Sequence, residues 1–243
     1  MLIINADDWG SNKKVTDSIL DCFQVGVVTS TTAMVYMDDS QRAAEIARSI
    51  GLAVGLHLNL TASFVEKHLD SRLVEAQNRL VRYFSRSKYA RILFNPFLNK
   101  EIQYCFEAQL SEFQRLYSGL PTHIDGHHHM HLCTNMVFGH VLPVGSKIRR
   151  NFTFRSTDRN FANRLYRKLI DRVILKDHKS TDFFYGLRTD RGHVRCKQII
   201  DLAVSKNVEL MVHPGRPEER EYLSSCCFID LIKNIPLGTY ESV

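Results

Sequence analysis

The sequence predicts an α/β fold, an irregular TIM-like (β/α) barrel forming a single domain over residues 1–243. Three observations lead there. Short apolar runs alternate with segments of helical period, which is the pattern of a parallel sheet with crossover helices. Four of the apolar runs end in ionisable residues, and (β/α) barrels build their sites from strand C-termini. No GxGxxG or GxxxxGK[ST] loop is present, although an open doubly wound sheet usually carries such a loop. A length of 243 residues suits one barrel-sized unit, and 44% hydrophobic residues supply a core.

The four runs are Leu2-Ile-Ile-Asn-Ala6 before Asp7-Asp8, Leu52-Ala-Val-Gly-Leu56 before His57, Pro121-Thr-His-Ile124 before a histidine cluster, and Val208-Glu-Leu-Met-Val212 before His213-Pro-Gly. Helices are expected over residues 17–25, 41–49, 102–117, 160–175 and 196–205, where apolar positions recur at a 3.6-residue period. The stretch 61–96 is polar and spotted with aromatics. It reads as part of an insertion spanning 61–120.

The cluster Thr122-His-Ile-Asp-Gly-His-His-His-Met-His131 holds five of the chain's 11 histidines. Imidazole is the commonest metal ligand and titrates near neutrality, so this density points to a metal site or acid–base chemistry. An internal run broken by Asp125 and Gly126 is not a purification tag. On a strand His123, Asp125 and His127 share one face, with His128 pointing the other way. Gly126 lets the backbone bend. Spacing leaves both His127 and His129 open as the ligand. Asp7 and Asp8 alternate on a straight strand, but a turn at the strand end brings both to one cavity, one as ligand and one as base. The competing readings are ordinary: Asp7 to Asn12 as a turn and helix cap, His57 between leucines as a core histidine, and His213 as a turn residue. Taken together, the four strand ends form the constellation of a mononuclear metal hydrolase.

Charge is uneven. The formal net charge is +6, but residues 147–179 carry eleven Lys/Arg against three Asp. This basic helical segment reads either as a solvated helix face or as a contact for an anionic partner. It lacks an aromatic stacking pattern, so nucleic acid is not an expected partner. No apolar stretch approaches a membrane span, and Asn5, Asp7 and Asp8 arrive where a signal peptide would be apolar. Six cysteines without CxxC spacing read as reduced thiols, so a cytoplasmic location is expected.

Ala6-Asp-Asp-Trp-Gly10, Gly26-Val-Val-Thr-Ser-Thr-Thr-Ala-Met34, Gly55-Leu-His-Leu-Asn-Leu-Thr61, residues 121–131 and His213-Pro-Gly215 resemble, in order, the YdjC-like carbohydrate deacetylases, among them the chitooligosaccharide deacetylases. Phe184-Tyr-Gly186 and Leu237-Gly-Thr-Tyr240 add to the resemblance. It implies a barrel related to polysaccharide deacetylases and one divalent metal ion held by Asp8, His57 and His127. It also implies Asp7 as catalytic base and His213 as general acid. Magnesium is the family's usual ion, although two imidazoles and a carboxylate suit zinc or another transition ion equally well. Trp9 stands where Phe is usual and Gly126 where Ser is common, and neither change removes a functional group. The stretches 61–122 and 147–179 depart from the pattern, so the resemblance leaves the substrate open: an acetamido sugar, neutral or anionic, or one linked to a carrier. His123 and Asp125 are expected beneath the metal, with His128, His129 and His131 in packing or substrate contact. A phosphoesterase acting on a phosphorylated sugar and a non-enzymatic anion-binding module are the alternative functions. Assembly, as a homodimer or otherwise, is not specified by the sequence.

Overall fold

The computed structural model describes residues 1–87, 89–153, 161–188 and 192–243, without the side chains of residues 192 and 193. Its frame is a six-stranded, all-parallel, curled sheet in the order β4-β3-β2-β1-β6-β5. The strands are β1 (Leu2–Trp9), β2 (Ser30–Ala33), β3 (Ala53–Leu58), β4 (Ile124–Gly126), β5 (Phe183–Gly186) and β6 (Val208–Val212). Central β1 is flanked by β2 and β6, so Leu2, Ile3 and Ile4 are buried on both faces, as helix-covered parallel strands require.

Helices α1 (Lys13–Gln24), α2 (Ser40–Ile50), α3 (Ser71–Arg86) and α4 (Asn99–Tyr117) occupy the first half of the chain. In the second half lie α5 (Thr134–Phe138), α6 (Phe161–Asp177), α7 (Gly192–Leu202), α8 (Pro217–Leu223) and α9 (Cys226–Ile232). Local chemistry sets their ends. The Asn12 side chain caps α1 by accepting from the Val15 N–H, Asp70 caps α3 through Arg72 and Leu73, and Gly51 ends α2 in the left-handed region.

Among the described residues the ladder is a curled half-barrel of six strands, short of the closed (β/α) barrel that the sequence predicts. The gap between β4 and β5 is spanned by residues 146–153 through isolated bonds. Ile124 N–H donates to the Lys147 carbonyl and Arg149 N–H to the Ile124 carbonyl on one side. On the other side Ile148 N–H donates to Lys179 and Thr153 N–H to Phe184. This segment adds single bridges to its neighbours where a closed barrel would have a full strand.

Residues 61–96 are not featureless. The expected insertion contains α3, whose apolar stripe of Leu73, Ala76 and Leu80 is buried and which packs on α4. The side chain of α3 residue Gln77 donates to the Asn59 and Ala62 carbonyls, so α3 braces the loop after β3. The expected helices all form, with shifted ends. The basic positions 155 and 159 and the expected helix start at 160 lie outside the described residues.

Gly55 on β3 is fixed by its neighbour strand. A Cβ there would sit 2.5 Å from His123 Nδ1 and 2.7 Å from the His123 carbonyl oxygen. Gly55→Ala is therefore predicted to push β3 and β4 apart and to cost about 1–3 kcal/mol, as overpacking does, in urea unfolding. An unchanged midpoint would show that β4 is free to move.

Candidate active site

The ionisable residues of the strand ends meet at the C-terminal rim of the sheet. At the end of β1 the register to β2 shifts between Ala6 and Trp9, and Asp8 adopts a φ of 73°. This left-handed kink is costly for a residue with a Cβ, and such strain collects at functional sites. It resolves the alternation problem: Asp7 turns into the interior beside Asn5, while Asp8 faces His57 from β3.

His57 is buried, with a carboxylate near each ring nitrogen. Nδ1 lies 2.7 Å from Asp125 Oδ1, and Nε2 lies 3.2 Å from Asp8 Oδ1. Burial alone lowers an imidazole pKa, but the charges and hydrogen bonds of Asp125 and Asp8, with Asp7 adding to them, lift His57 well above its ordinary value. The β3–β4 register places His57 opposite Asp125.

His127 follows β4 directly. Its ring centroid is 5.8 Å from that of His57, and its Nδ1 is 2.9 Å from Thr61 Oγ1. Burial, followed by the charge of His57, pushes its pKa down to about 4. The Thr61 contact at Nδ1 leaves Nε2 for another partner.

The other cluster histidines separate because His128 and His129 both adopt left-handed backbone angles, with φ of 54° and 58°. His128 does not point away from His127, as strand alternation predicts. Its ring stacks on that of His127 at 4.0 Å and shares Thr61. The reason is that β4 ends at Gly126, so a period of two no longer applies. His129 turns instead towards Phe152 and Phe184, with centroids 4.6 and 5.8 Å away. The fold thus brings His127, and not His129, to His57. His123 stacks on Tyr240 at 3.7 Å, and His131 Nε2 meets the Arg149 carbonyl oxygen at 3.0 Å.

One central residue escaped the sequence reading. Arg149 belongs to the basic segment, yet it is completely buried and faces no anionic partner from outside. Its guanidinium donates to both oxygens of Asp7 at 2.7 Å and to Glu209 on β6 at 2.7 Å, and it pairs with Asp125 Oδ2 at 2.5 Å. Burial raises the Asp7 carboxyl, but the charge and hydrogen bonds of Arg149 outweigh it and hold Asp7 well below the usual carboxylate range. Burial lifts Glu209 to about 7 against the same guanidinium, and Tyr240 donates its hydroxyl to the second Glu209 oxygen. Alternation in Lys147-Ile148-Arg149 sets Arg149 on the face of Lys147, opposite apolar Ile148, so the local sequence carries no signal for an inward arginine.

His213, at the end of β6, sits half-buried. Its backbone N–H donates to Glu219 Oε2 at 2.7 Å, and Nδ1 lies 3.8 Å from Glu219 Oε1. The β1–β6 register pairs Val212 with Ala6, which places His213 beside Asp7 and Asp8 at the same rim.

Two overlapping donor sets present themselves for a cation. Asp7, His57 and Asp125 offer atoms lying within 4.8 Å of one another. Both oxygens of Asp7 and one of Asp125 are, however, taken by Arg149, and the other Asp125 oxygen by His57. Asp8 differs: Oδ1 is buried and has His57 Nε2 nearby as an ion-pair partner but no satisfying hydrogen bond. An orphaned carboxylate oxygen beside the outward nitrogen of a buried histidine is what a cation would complete.

The sequence profile of the YdjC-like protein family matches residues 1–235. The chain belongs to the YdjC-like family. A chitooligosaccharide deacetylase of Serratia marcescens is 38% identical over 133 residues, which is 54% of this chain and 51% of that protein. A carbohydrate deacetylase of Clostridium beijerinckii is 28% identical over 247 residues, covering 100% of this chain and 92% of its own length. A solved protein of Enterococcus faecalis V583, provisionally described as a cellobiose-phosphate cleavage protein, superimposes with a TM-score of 0.69 at 23% identity, covering 99% of this chain and 97% of that one. That likeness shows a shared fold.

Removing the guanidinium would strand three buried carboxylates. Arg149→Met is predicted to cost about 3–5 kcal/mol in urea unfolding, the range for a buried ion pair deprived of one partner. A loss below about 1 kcal/mol would contradict the hub. A second prediction concerns pH. Burial pushes His131 down to about 4 from an ordinary 6.5. Between those values the unfolded chain binds a proton that the folded chain refuses, so the His131 contribution is complete above 6.5 and is lost as pH falls towards 4. Unfolding free energies measured across that window should fall less steeply for His131→Gln than for the unaltered protein. Parallel profiles would refute a neutral buried His131.

Proposed function

We propose that the chain is a metal-dependent hydrolase that removes the N-acetyl group of an acetamido sugar or oligosaccharide, releasing acetate and an amino sugar. The observation that carries this reading is the meeting of Asp8, His57 and His127 at one rim, with Asp7 clamped beside them. The curated relatives named as chitooligosaccharide and carbohydrate deacetylases supply the substrate class.

Asp8, through its unsatisfied oxygen, and His57 and His127, through the ring nitrogens not turned to Asp125 and Thr61, would hold one divalent ion. The imidazole-rich set suits zinc or another transition ion, and family resemblance favours magnesium. When bound, such an ion polarises the amide carbonyl and lowers the pKa of a water. Asp7 is assigned the proton from that water. Arg149 keeps it ionised at neutral pH and fixes its direction, at the cost of making it a weak base. His213 is assigned the proton delivered to the departing nitrogen as the C–N bond breaks, with Glu219 holding its backbone. Asp125 orients His57 by accepting from Nδ1–H, which leaves Nε2 as the ligand nitrogen. The substrate is taken as soluble or carrier-linked, and the chain as cytoplasmic, in keeping with its six unpaired cysteines.

Phosphoester hydrolysis needs a second cation in its usual two-metal form. The carboxylates best placed for one, Asp7, Asp125 and Glu209, are committed to Arg149. An acetamido-sugar and sugar-phosphate panel should therefore release acetate and no phosphate. Asp7→Asn should slow acetate release by about 10²–10⁴-fold while retaining bound metal, as loss of a general base does. His57→Ala and His127→Ala should lose the metal by elemental analysis. Full metal content in both, or undiminished turnover in Asp7→Asn, would overturn these assignments.

A further inference from the structure

Most of the basic segment is not used by the site. Arg149 is internal, Lys147 donates to the Tyr240 and Glu241 carbonyls, and Arg150 pairs with Asp171. Among the described residues, most of what remains lies on α6, whose outer face carries several of these cations. Its inner face buries Ile170, Asp171 and Ile174. Phe161, Leu165 and Leu169 follow one another at intervals of four, and Lys168, Arg172 and Lys176 form a parallel row at the same interval. Residues four apart lie on one helix face, so an apolar stripe and a basic stripe run side by side into solvent.

A second exposed apolar segment adjoins it. The turn at residues 89–98 presents Leu93 and Phe97. Together with Phe161, Leu165 and Leu169, these side chains keep between 52% and 88% of their surface exposed. The turn does not hang loose. Thr134 N–H donates to the Arg91 carbonyl, Asn95 N–H to Asn135 Oδ1, and Asn135 Nδ2 to the Asn95 carbonyl, so the backbone is pinned to α5 with its apolar side chains outward. Tyr89, Arg91 and Ile92 of the turn and Asn163, Tyr166 and Arg167 of α6 wall a cleft of about 460 Å³ that also reaches His129. Arg91 is close enough to help depress the pKa of His128. The two segments are thus neighbours beside the mouth of the site.

We propose that α6 and the 89–98 turn form a docking face for an anionic lipid bilayer, with the apolar side chains entering the interface and Arg91, Lys168, Arg172 and Lys176 meeting headgroup phosphates. Charge selects the partner. A second copy of this face would set like charges against each other, since Asp171 turns inward and Asp177 lies at the end of α6. Nucleic acid would use the cations but not an aliphatic stripe, whereas bilayer surfaces bind faces that combine both features. Among the described residues no helix is long and apolar enough to cross a membrane, so the contact is peripheral. This inference does not rest on the catalytic reading.

The test is co-sedimentation of the full chain with vesicles of phosphatidylcholine alone and of phosphatidylcholine mixed with phosphatidylglycerol. Binding should require phosphatidylglycerol and weaken with added salt. Leu165→Glu combined with Phe97→Glu, and separately Lys168→Glu combined with Arg172→Glu, should each weaken binding by about tenfold or more, while hydrolysis of a soluble substrate is unchanged. Equal binding to both vesicles, or undiminished binding by both variants, would overturn the proposal. So would a dimer in sedimentation velocity that Leu165→Glu dissolves, or tight binding of a DNA duplex through the same residues.

Discussion

A single buried guanidinium organises the rim of this sheet. Arg149 lies outside the strand ladder, on the segment that bridges β4 and β5, and gathers Asp7 from β1, Asp125 from β4 and Glu209 from β6. An isolated buried charge is expensive, so the arginine and its carboxylates are stable only together. The planar fork of arginine suits this task because it can grip Asp7 at both oxygens while its other edge reaches Glu209. Where the described backbone ladder stops short of a closed barrel, these side-chain bonds tie the β4 edge to central β1 and to β6.

The same hub divides labour among the carboxylates. Those bonded to Arg149 are fixed in place and cannot readily turn to a ligand. Asp8, displaced by one residue and by a left-handed kink, is left facing His57. Burial of Asp7, Asp125 and Glu209 around one guanidinium, with Asp8 alongside, leaves negative charge in excess. Part of it is relieved by the upward shift of Glu209 to about 7 and by the raised affinity of His57 for a proton. A divalent cation at Asp8, His57 and His127 would answer the same excess, and this links the electrostatics of the fold to the proposed chemistry.

Much of this was legible in the chain. Apolar runs ending at Asp7, His57, the histidine cluster and His213 located four of the six strands, and the structure brings those ends to one rim. Their chemistry was read because ionisable residues at strand termini are rarely needed for packing. β2 was not read, because Ser30-Thr-Thr-Ala33 is a polar strand whose hydroxyls face inward to bond Asn5 and Asp125. Helix α3 was missed because its stripe of Leu73, Ala76 and Leu80 is sparse among charged residues. Arg149 was hidden by the company it keeps. Local composition reports net charge, whereas burial here depends on three partners between 24 and 142 residues away. The orientations of His128 and His129 were likewise beyond a pattern argument, since they depend on two left-handed residues after the strand has ended.

Arg149 reserves Asp7 and Asp125, and in the proposed site this leaves Asp8, His57 and His127 to hold the cation. A crystal structure of the metal-loaded protein, with the ion located by anomalous scattering, tests it most directly. The expected ion is bonded to Asp8 Oδ1 and to the Nε2 atoms of His57 and His127, with Asp7 still clamped by Arg149. An ion held between Asp7 and Asp125, with the guanidinium displaced, would contradict it.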